Sequence, residues 1–194
     1  MLEGDPVAIA PLLLNKVLLV HGMTPAGDES VSGRIVEVEA YRGAEDPASH
    51  AFRGVTPRNS VMFGPPGHLY VYFTYGMHYC CNVVCGPPGT ARAVLIRALA
   101  PLDGLETMRL RRVRARKDRD LCSGPGKLCQ ALGIDRSFDG ADLLDATSRV
   151  RLLDDGARPP APAACGPRIG ISAQLTTAFE PWRFWVEGDA NVSG

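Results

Sequence analysis

A strand-like run at residues 33–41, Gly-Arg-Ile-Val-Glu-Val-Glu-Ala-Tyr, alternates its side chains. With a period of two, Ile35, Glu37, Glu39 and Tyr41 share one face. Two carboxylates beside an isoleucine and a tyrosine are either a solvated face or, in a partly desolvated pocket, the source of a general base. A second run, residues 91–99, places Ala93, Leu95, Arg97 and Leu99 on one face. A guanidinium between apolar neighbours is costly unless it meets an anion. Arg97 is therefore either an arginine reaching water at a strand end or the partner of Glu37 or Glu39 on a neighbouring strand. A carboxylate held by an arginine stays ionised at neutral pH, as a base that activates water must.

Aromatic residues supply the next signal. Tyr70-Val-Tyr72-Phe-Thr-Tyr75-Gly76 puts Tyr70 and Tyr72 on one strand face and Tyr75 at the tip of a hairpin, with Asn82 near the start of the return strand. Most strand aromatics are core, but a tyrosine at an exposed tip can enter a groove and wedge between base steps. Ser123-Gly-Pro-Gly-Lys127 offers backbone N–H groups and a cation at a helix start, a geometry that binds anions or merely caps the helix. It is not a Walker A loop, because Leu121 and Leu128 stand where that motif needs Gly and Ser/Thr. The run Arg109 to Arg119 is a solvated helix face or a phosphate contact. Two cationic features with a tip aromatic favour nucleic acid.

The elements that must position these residues follow from pattern and punctuation. Residues 7–20 read as an apolar helix and the start of a strand. Strands at 33–41, 68–74, 79–85 and 91–99 are joined by turn-rich segments, with Gly64-Pro-Pro-Gly67 and Gly86-Pro-Pro-Gly89 between them. Asp103 and Glu106 resemble a capping box that opens a helix carrying the Arg109–Arg119 run. A further helix follows Ser123–Gly126 and closes at Gly133. Residues 154–167 read as a surface loop, and Arg183–Glu187 as a last strand. Strands and helices intermingle without βαβ regularity, so the expected fold is α+β: one domain over residues 1–194, with a curved, mostly antiparallel sheet, a protruding hairpin and surrounding helices.

Composition narrows the class. The chain has 194 residues and a formal charge of zero, from 21 basic and 21 acidic residues. Residues 34–127 hold 14 Lys/Arg against 8 Asp/Glu, a net of +6, and the remainder 7 against 13. One lobe can thus face a polyanion while the whole stays neutral. Hydrophobic residues make up 45%, which excludes a disordered chain. No apolar run approaches the roughly 20 residues of a membrane span, and Glu3 and Asp5 stand where a secretory signal would be positive. The cysteines, at 80, 81, 85, 122, 129 and 165, form no C-x-x-C pair and no ligand spacing with the four histidines, so buried free thiols are expected. The expectation is a soluble cytoplasmic protein.

Six segments in order, Gly33–Tyr41, Thr56-Pro-Arg-Asn59, Gly67–Gly76, Val94–Leu99, Gly104–Arg109 and Leu121–Gln130, make the chain similar to the alkyladenine (3-methylpurine) DNA glycosylases, the mammalian-type family with bacterial members. The resemblance spans about residues 10–188, and departs from the family at 157–167 and at Ala190, where a proline is expected. It implies a glycosylase without lyase activity, a monomer that binds double-stranded DNA and uses neither metal nor cofactor. It implies hydrolysis of the N-glycosidic bond of damaged purines of the 3-methyladenine, hypoxanthine or ethenoadenine type. On this resemblance Glu39 is the general base and Arg97 helps to hold the attacking water. Tyr41, His50 and Tyr72 wall the pocket for a flipped base, with the His50 N–H on the purine edge. Tyr75 intercalates, and Asn82 crowds the exocyclic amino group of guanine. Arg58, Lys127 and Arg168 lie in segments associated with the DNA backbone. Two other readings stay open: a saccharide hydrolase with Glu37 and Glu39 as its carboxylate pair, and a nucleic-acid-binding module in which Glu39 is structural.

Overall fold

A computed structural model describes residues 1–24 and 27–193. Eight strands form one curled antiparallel sheet: β1 (Val17–Thr24), β2 (Gly27–Tyr41), β3 (Leu69–Thr74), β4 (His78–Cys85), β5 (Arg92–Pro101), β6 (Val150–Leu153), β7 (Ala164–Gly166) and β8 (Arg183–Trp185). The main path runs β3-β4-β5-β2-β1-β6, and β7 pairs with β8, which pairs with β2. Three helices pack around it: α1 (Pro6–Leu13), α2 (Leu105–Arg111) and α3 (Pro125–Leu132). The arrangement is α+β, as expected. No helix among the described residues is long and apolar enough to cross a membrane.

Local chemistry explains the element starts. Asp5 caps α1 by accepting from the Val7 N–H at 2.9 Å, and Pro6 supplies a preset φ at the first helical position. α3 likewise opens on Pro125 and ends at Gly133 in the left-handed conformation. At α2 the sequence expectation fails. Its N-cap is Gly104, with φ +74° and no side-chain cap. Asp103 instead accepts from the Ser32 hydroxyl at 2.7 Å, and Glu106 pairs with Arg109. The helix ends at Arg111, so Arg112–Lys117 is loop rather than helix face, and a 3-10 turn follows at Asp118–Asp120. The expected loop at 154–167 also contains a strand, β7.

β2 organises the molecule. One of its edges pairs with β1 over residues 27–34 and with β8 over 37–39, while the other pairs with β5 from Gly33 onward. The register to β5 shifts between Ile35 and Glu37 and again between Glu37 and Val38. Such an irregularity re-aims side chains. Ile35, Val38, Ala40, Val94, Ile96 and Leu99 enter the main core. Glu39, Tyr41, Leu95 and Arg97 line a cavity. Ile35 therefore does not share a face with Glu39, nor Leu99 with Arg97. Five of the six cysteines are buried free thiols, but Cys165 on β7 is exposed, contrary to expectation.

Candidate active site

The cavity measures about 230 Å³ and opens beside the β3–β4 hairpin. Glu39 projects into it from β2 and Arg97 from β5, both inaccessible or nearly so. An uncompensated buried carboxylate costs several kcal/mol, and here each oxygen has partners. Glu39 Oε1 accepts from the Ile169 N–H at 2.7 Å and lies 3.2 Å from Arg97 Nη1. Glu39 Oε2 accepts from the Tyr41 hydroxyl at 2.9 Å. Burial pushes the Glu39 carboxyl above its ordinary value; Arg97, the Ile169 N–H and the Tyr41 hydroxyl offset only part of that. The expectation that arginine would dominate is thus reversed, and the carboxylate is a stronger base for it.

The walls are aromatic. Tyr70 and Tyr72 stack on one face of β3 with centroids 5.5 Å apart, and His50 meets Tyr72 edge-on at 4.4 Å. Their hydroxyls stay protonated: burial pushes the Tyr70 phenol to about 12 and carries Tyr72 higher still. Burial with the nearby Arg58 lowers the His50 pKa, so its ring is neutral at pH 7 and does not repel a cationic guest. The Cys80 thiol, pushed by burial to about 11, is no nucleophile at neutral pH. Asn82 faces the same space with its amide nitrogen tied to the Tyr70 carbonyl at 3.2 Å.

Tyr75 stands at the hairpin tip, 86% exposed, with φ +50°, and Gly76 follows at +65°. A non-glycine residue held left-handed costs roughly 1–2 kcal/mol. Neither core packing nor backbone preference accounts for a tyrosine there. Gly126 lets α3 approach the hairpin, since a Cβ on it would come within 3.0 Å of His78. Pro125, beside it, reaches the cavity lining.

The cationic residues divide. Arg58 is exposed at the rim, donating to the Phe73 carbonyl at 2.9 Å with its guanidinium 5.8 Å from the Tyr72 ring centre. Lys127 is exposed at the start of α3, 3.2 Å from the Ser123 hydroxyl. Arg168 does not face outward. Its side chain is fully buried, bonded to both oxygens of Asp46 at 2.5 and 2.9 Å, and lies over the Tyr41 and Trp182 rings at 4.6 and 4.9 Å. It braces the pocket wall, and the phosphate role suggested for it is unsuited to this placement.

Four contributors were given no role in the site by the sequence reading. Asp46 anchors Arg168, and the next residue, Ile169, supplies the N–H on Glu39. Tyr70 bonds His50 Nδ1 at 3.1 Å. Asn59 is buried and donates to the His50 and Gly54 carbonyls at 2.9 and 3.1 Å, which fixes the His50 loop. Two of them left a local trace: Tyr70 as the strand-face neighbour of Tyr72, and Asn59 as the polar end of a Thr-x-x-Asn turn. A larger concavity of about 390 Å³ lies beyond the hairpin, lined by Met77, His78, Arg112 and Arg114 among others, with no carboxylate among its described lining residues.

Known proteins resemble the chain over nearly its whole length. The family model described as methylpurine-DNA glycosylase matches residues 1–190. A Burkholderia lata protein named "Putative 3-methyladenine DNA glycosylase" is 58% identical over 186 residues, covering 96% of this chain and 85% of that one. Proteins of the same name from Streptomyces avermitilis and Mycobacterium tuberculosis are 49% and 48% identical, each covering at least 95% of this chain and 84% or more of their own. With its carboxylate, aromatic walls and tip tyrosine in the segments that first suggested the resemblance, the chain belongs to the methylpurine-DNA glycosylase family.

Proposed function

We propose that this protein is a DNA glycosylase that extrudes an alkylated or deaminated purine from duplex DNA and hydrolyses its N-glycosidic bond with a water activated by Glu39. The observation that carries the reading is a buried carboxylate of raised pKa set among stacked aromatic rings beside an exposed hairpin tyrosine. Extrusion costs a few kcal/mol, least for a damaged pair. Tyr75 fills the gap in the stack, and the walls return roughly 1–3 kcal/mol through stacking on the base. An electron-poor alkylpurine suits these walls, because neutral tyrosine faces attract cations.

The bond changes balance without a cofactor. The water oxygen bonds to C1′, its proton passes to Glu39, and the electron pair of the C1′–N bond leaves with the purine. A cationic alkylpurine departs neutral; a neutral deaminated purine takes up a proton as it leaves. Arg97 holds Glu39 from one side, and the tyrosine hydroxyl donates from the other. The saccharide reading loses support because Glu37 does not line the cavity, which leaves Glu39 without a second carboxylate across it.

The test is base release from a hypoxanthine-containing duplex by wild type and Glu39→Gln. Wild type should release free base, and the variant should lose about 10²–10⁴-fold while still binding the lesion. Binding without release by wild type would favour the non-enzymatic module; turnover by Glu39→Gln would show that another group is the base.

A further inference from the structure

Glu37 is as buried as Glu39, yet it is not part of the cavity lining and its charge is used elsewhere. Its Oε1 accepts from Arg97 Nε at 3.0 Å and from Arg183 Nη1 at 3.1 Å, and its Oε2 accepts from the Ser193 N–H at 2.6 Å. Arg97 is thereby fastened at three points: Nε to Glu37, Nη1 beside Glu39 at 3.2 Å, and Nη2 to the Ser193 hydroxyl at 3.3 Å. Of these three nitrogens only Nη1 lies within ion-pair distance of Glu39.

We infer that Glu37 is a positioning residue that competes with Glu39 for Arg97, keeping their pairing single-pronged so that Glu39 Oε2, bonded on one side by the Tyr41 hydroxyl, keeps its second lone pair for a water, and that β8 and the segment 189–193 lock Glu37 in that role. The chemistry follows from what a free Arg97 would do. Guanidinium and carboxylate prefer a two-pronged pair that occupies both oxygens, and such a pair would sequester the base. Glu37 takes one edge of the fork and prevents it. Arg183 limits how strongly Glu37 draws Arg97 away, and Ser193 keeps Glu37 from rotating. The inference rests on the reading of Glu39 as the base.

The test is the pH profile of single-turnover release from hypoxanthine duplex for wild type, Glu37→Gln, Arg183→Gln and Glu39→Gln, with melting temperature and lesion binding measured alongside. The charged and titratable groups facing Glu39 are Arg97 from β5, Arg168 from the loop before β8 and Tyr41 from β2, with Tyr72, Cys80 and His50 across the cavity. All are common to wild type, Glu37→Gln and Arg183→Gln. Glu37→Gln removes a nearby negative charge and lets Arg97 close on Glu39, so the acid limb should move to lower pH. The plateau rate should also fall, by about ten-fold, a small part of the loss expected when a base is removed outright. Arg183→Gln strengthens the pull of Glu37 on Arg97, so its acid limb should move to higher pH. Lesion binding should not change in either.

A Glu37→Gln enzyme with wild-type plateau and midpoint overturns the inference. So does a loss explained wholly by its unfolded fraction. Should Glu37→Gln not fold, an unmoved midpoint in Arg183→Gln overturns it instead. Wild-type turnover by Glu39→Gln would mark failure of the underlying reading, a result distinct from these.

Discussion

Replacing Tyr75 with alanine separates a DNA-directed tyrosine from a structural one. A buried aromatic covers roughly 150–250 Å², but Tyr75 is 86% exposed. The hidden seventh is roughly 20–35 Å², worth under about 1 kcal/mol at about 25 cal/mol per Å². Alanine keeps the same left-handed backbone cost, so that strain is not released. At about 2–4 °C per kcal/mol for a chain of this size, the melting temperature should fall by less than about 4 °C. A core tyrosine would instead cost about 3–5 kcal/mol, or about 6–20 °C. On the proposed function the ring stabilises only the extruded state of the DNA complex, and stacking of roughly 1–3 kcal/mol converts to about ten- to hundred-fold in the flipped population. The assay follows a fluorescent ethenoadenine lesion at equilibrium and then single-turnover release at saturation. A large fall in melting temperature with unaltered flipping would refute the reasoning, because the ring would then be supporting the hairpin.

The remaining predictions concern the pocket and its frame. No lysine lines the cavity among the described residues, and Lys16 is paired with Asp154 at 2.8 Å. Borohydride should therefore trap no covalent protein–DNA adduct, since a Schiff base needs an amine in the site. Asn82→Ser should release guanine faster with hypoxanthine release preserved, because guanine alone carries the N2 amino group; unchanged guanine release would place discrimination in flipping. Tyr41→Phe keeps the ring but removes a donor that holds the Glu39 pKa down. With Glu39 as the proposed base, activity should appear as it loses its proton, so the acid limb should move to higher pH, and a downward move would contradict the assignment. Asp46→Asn should destabilise by about 3–5 kcal/mol by leaving Arg168 buried and short of its partner. Burial would raise the Asp46 pKa, but Arg168 and Thr177 outweigh it and hold it low. Its stabilisation is thus complete at neutral pH and disappears as pH falls through that lowered value, so wild type and variant should converge in acid unfolding curves.

Much of the frame was legible from local pattern. Alternation located β3, β4 and β5, and Tyr75-Gly76 marked the hairpin tip, because strand periodicity and turn chemistry are written in neighbouring residues. The boundaries of α2 were not. Its cap is a left-handed glycine, and Asp103, the obvious capping residue, is drawn off by Ser32, 71 positions away. The Arg109–Arg119 run is rich in strong helix formers, yet the Arg109 side chain turns to Asp118 and the helix stops at Arg111. Propensity named the residues and tertiary pairing chose the conformation.

Arg168 and Glu37 show where local reading must stop. An arginine in a glycine- and proline-rich stretch has every local sign of a surface cation; its burial depends on Asp46, 122 residues earlier, and on the two rings it lies over. Glu37 and Glu39 are the same residue two positions apart on one strand, so alternation assigns them the same environment. What distinguishes them is the change of neighbour along β2. At residues 37–39 its edge passes to β8, which brings Arg183 to Glu37, and Ser193 arrives from 156 residues away. Glu39 receives instead the Ile169 N–H and the Tyr41 hydroxyl, and keeps the cavity in front of it. The different surroundings of two identical carboxylates are therefore set by chain that returns to them after more than a hundred residues, and substitutions at Arg183 or Arg168 should alter catalysis without touching the proposed base.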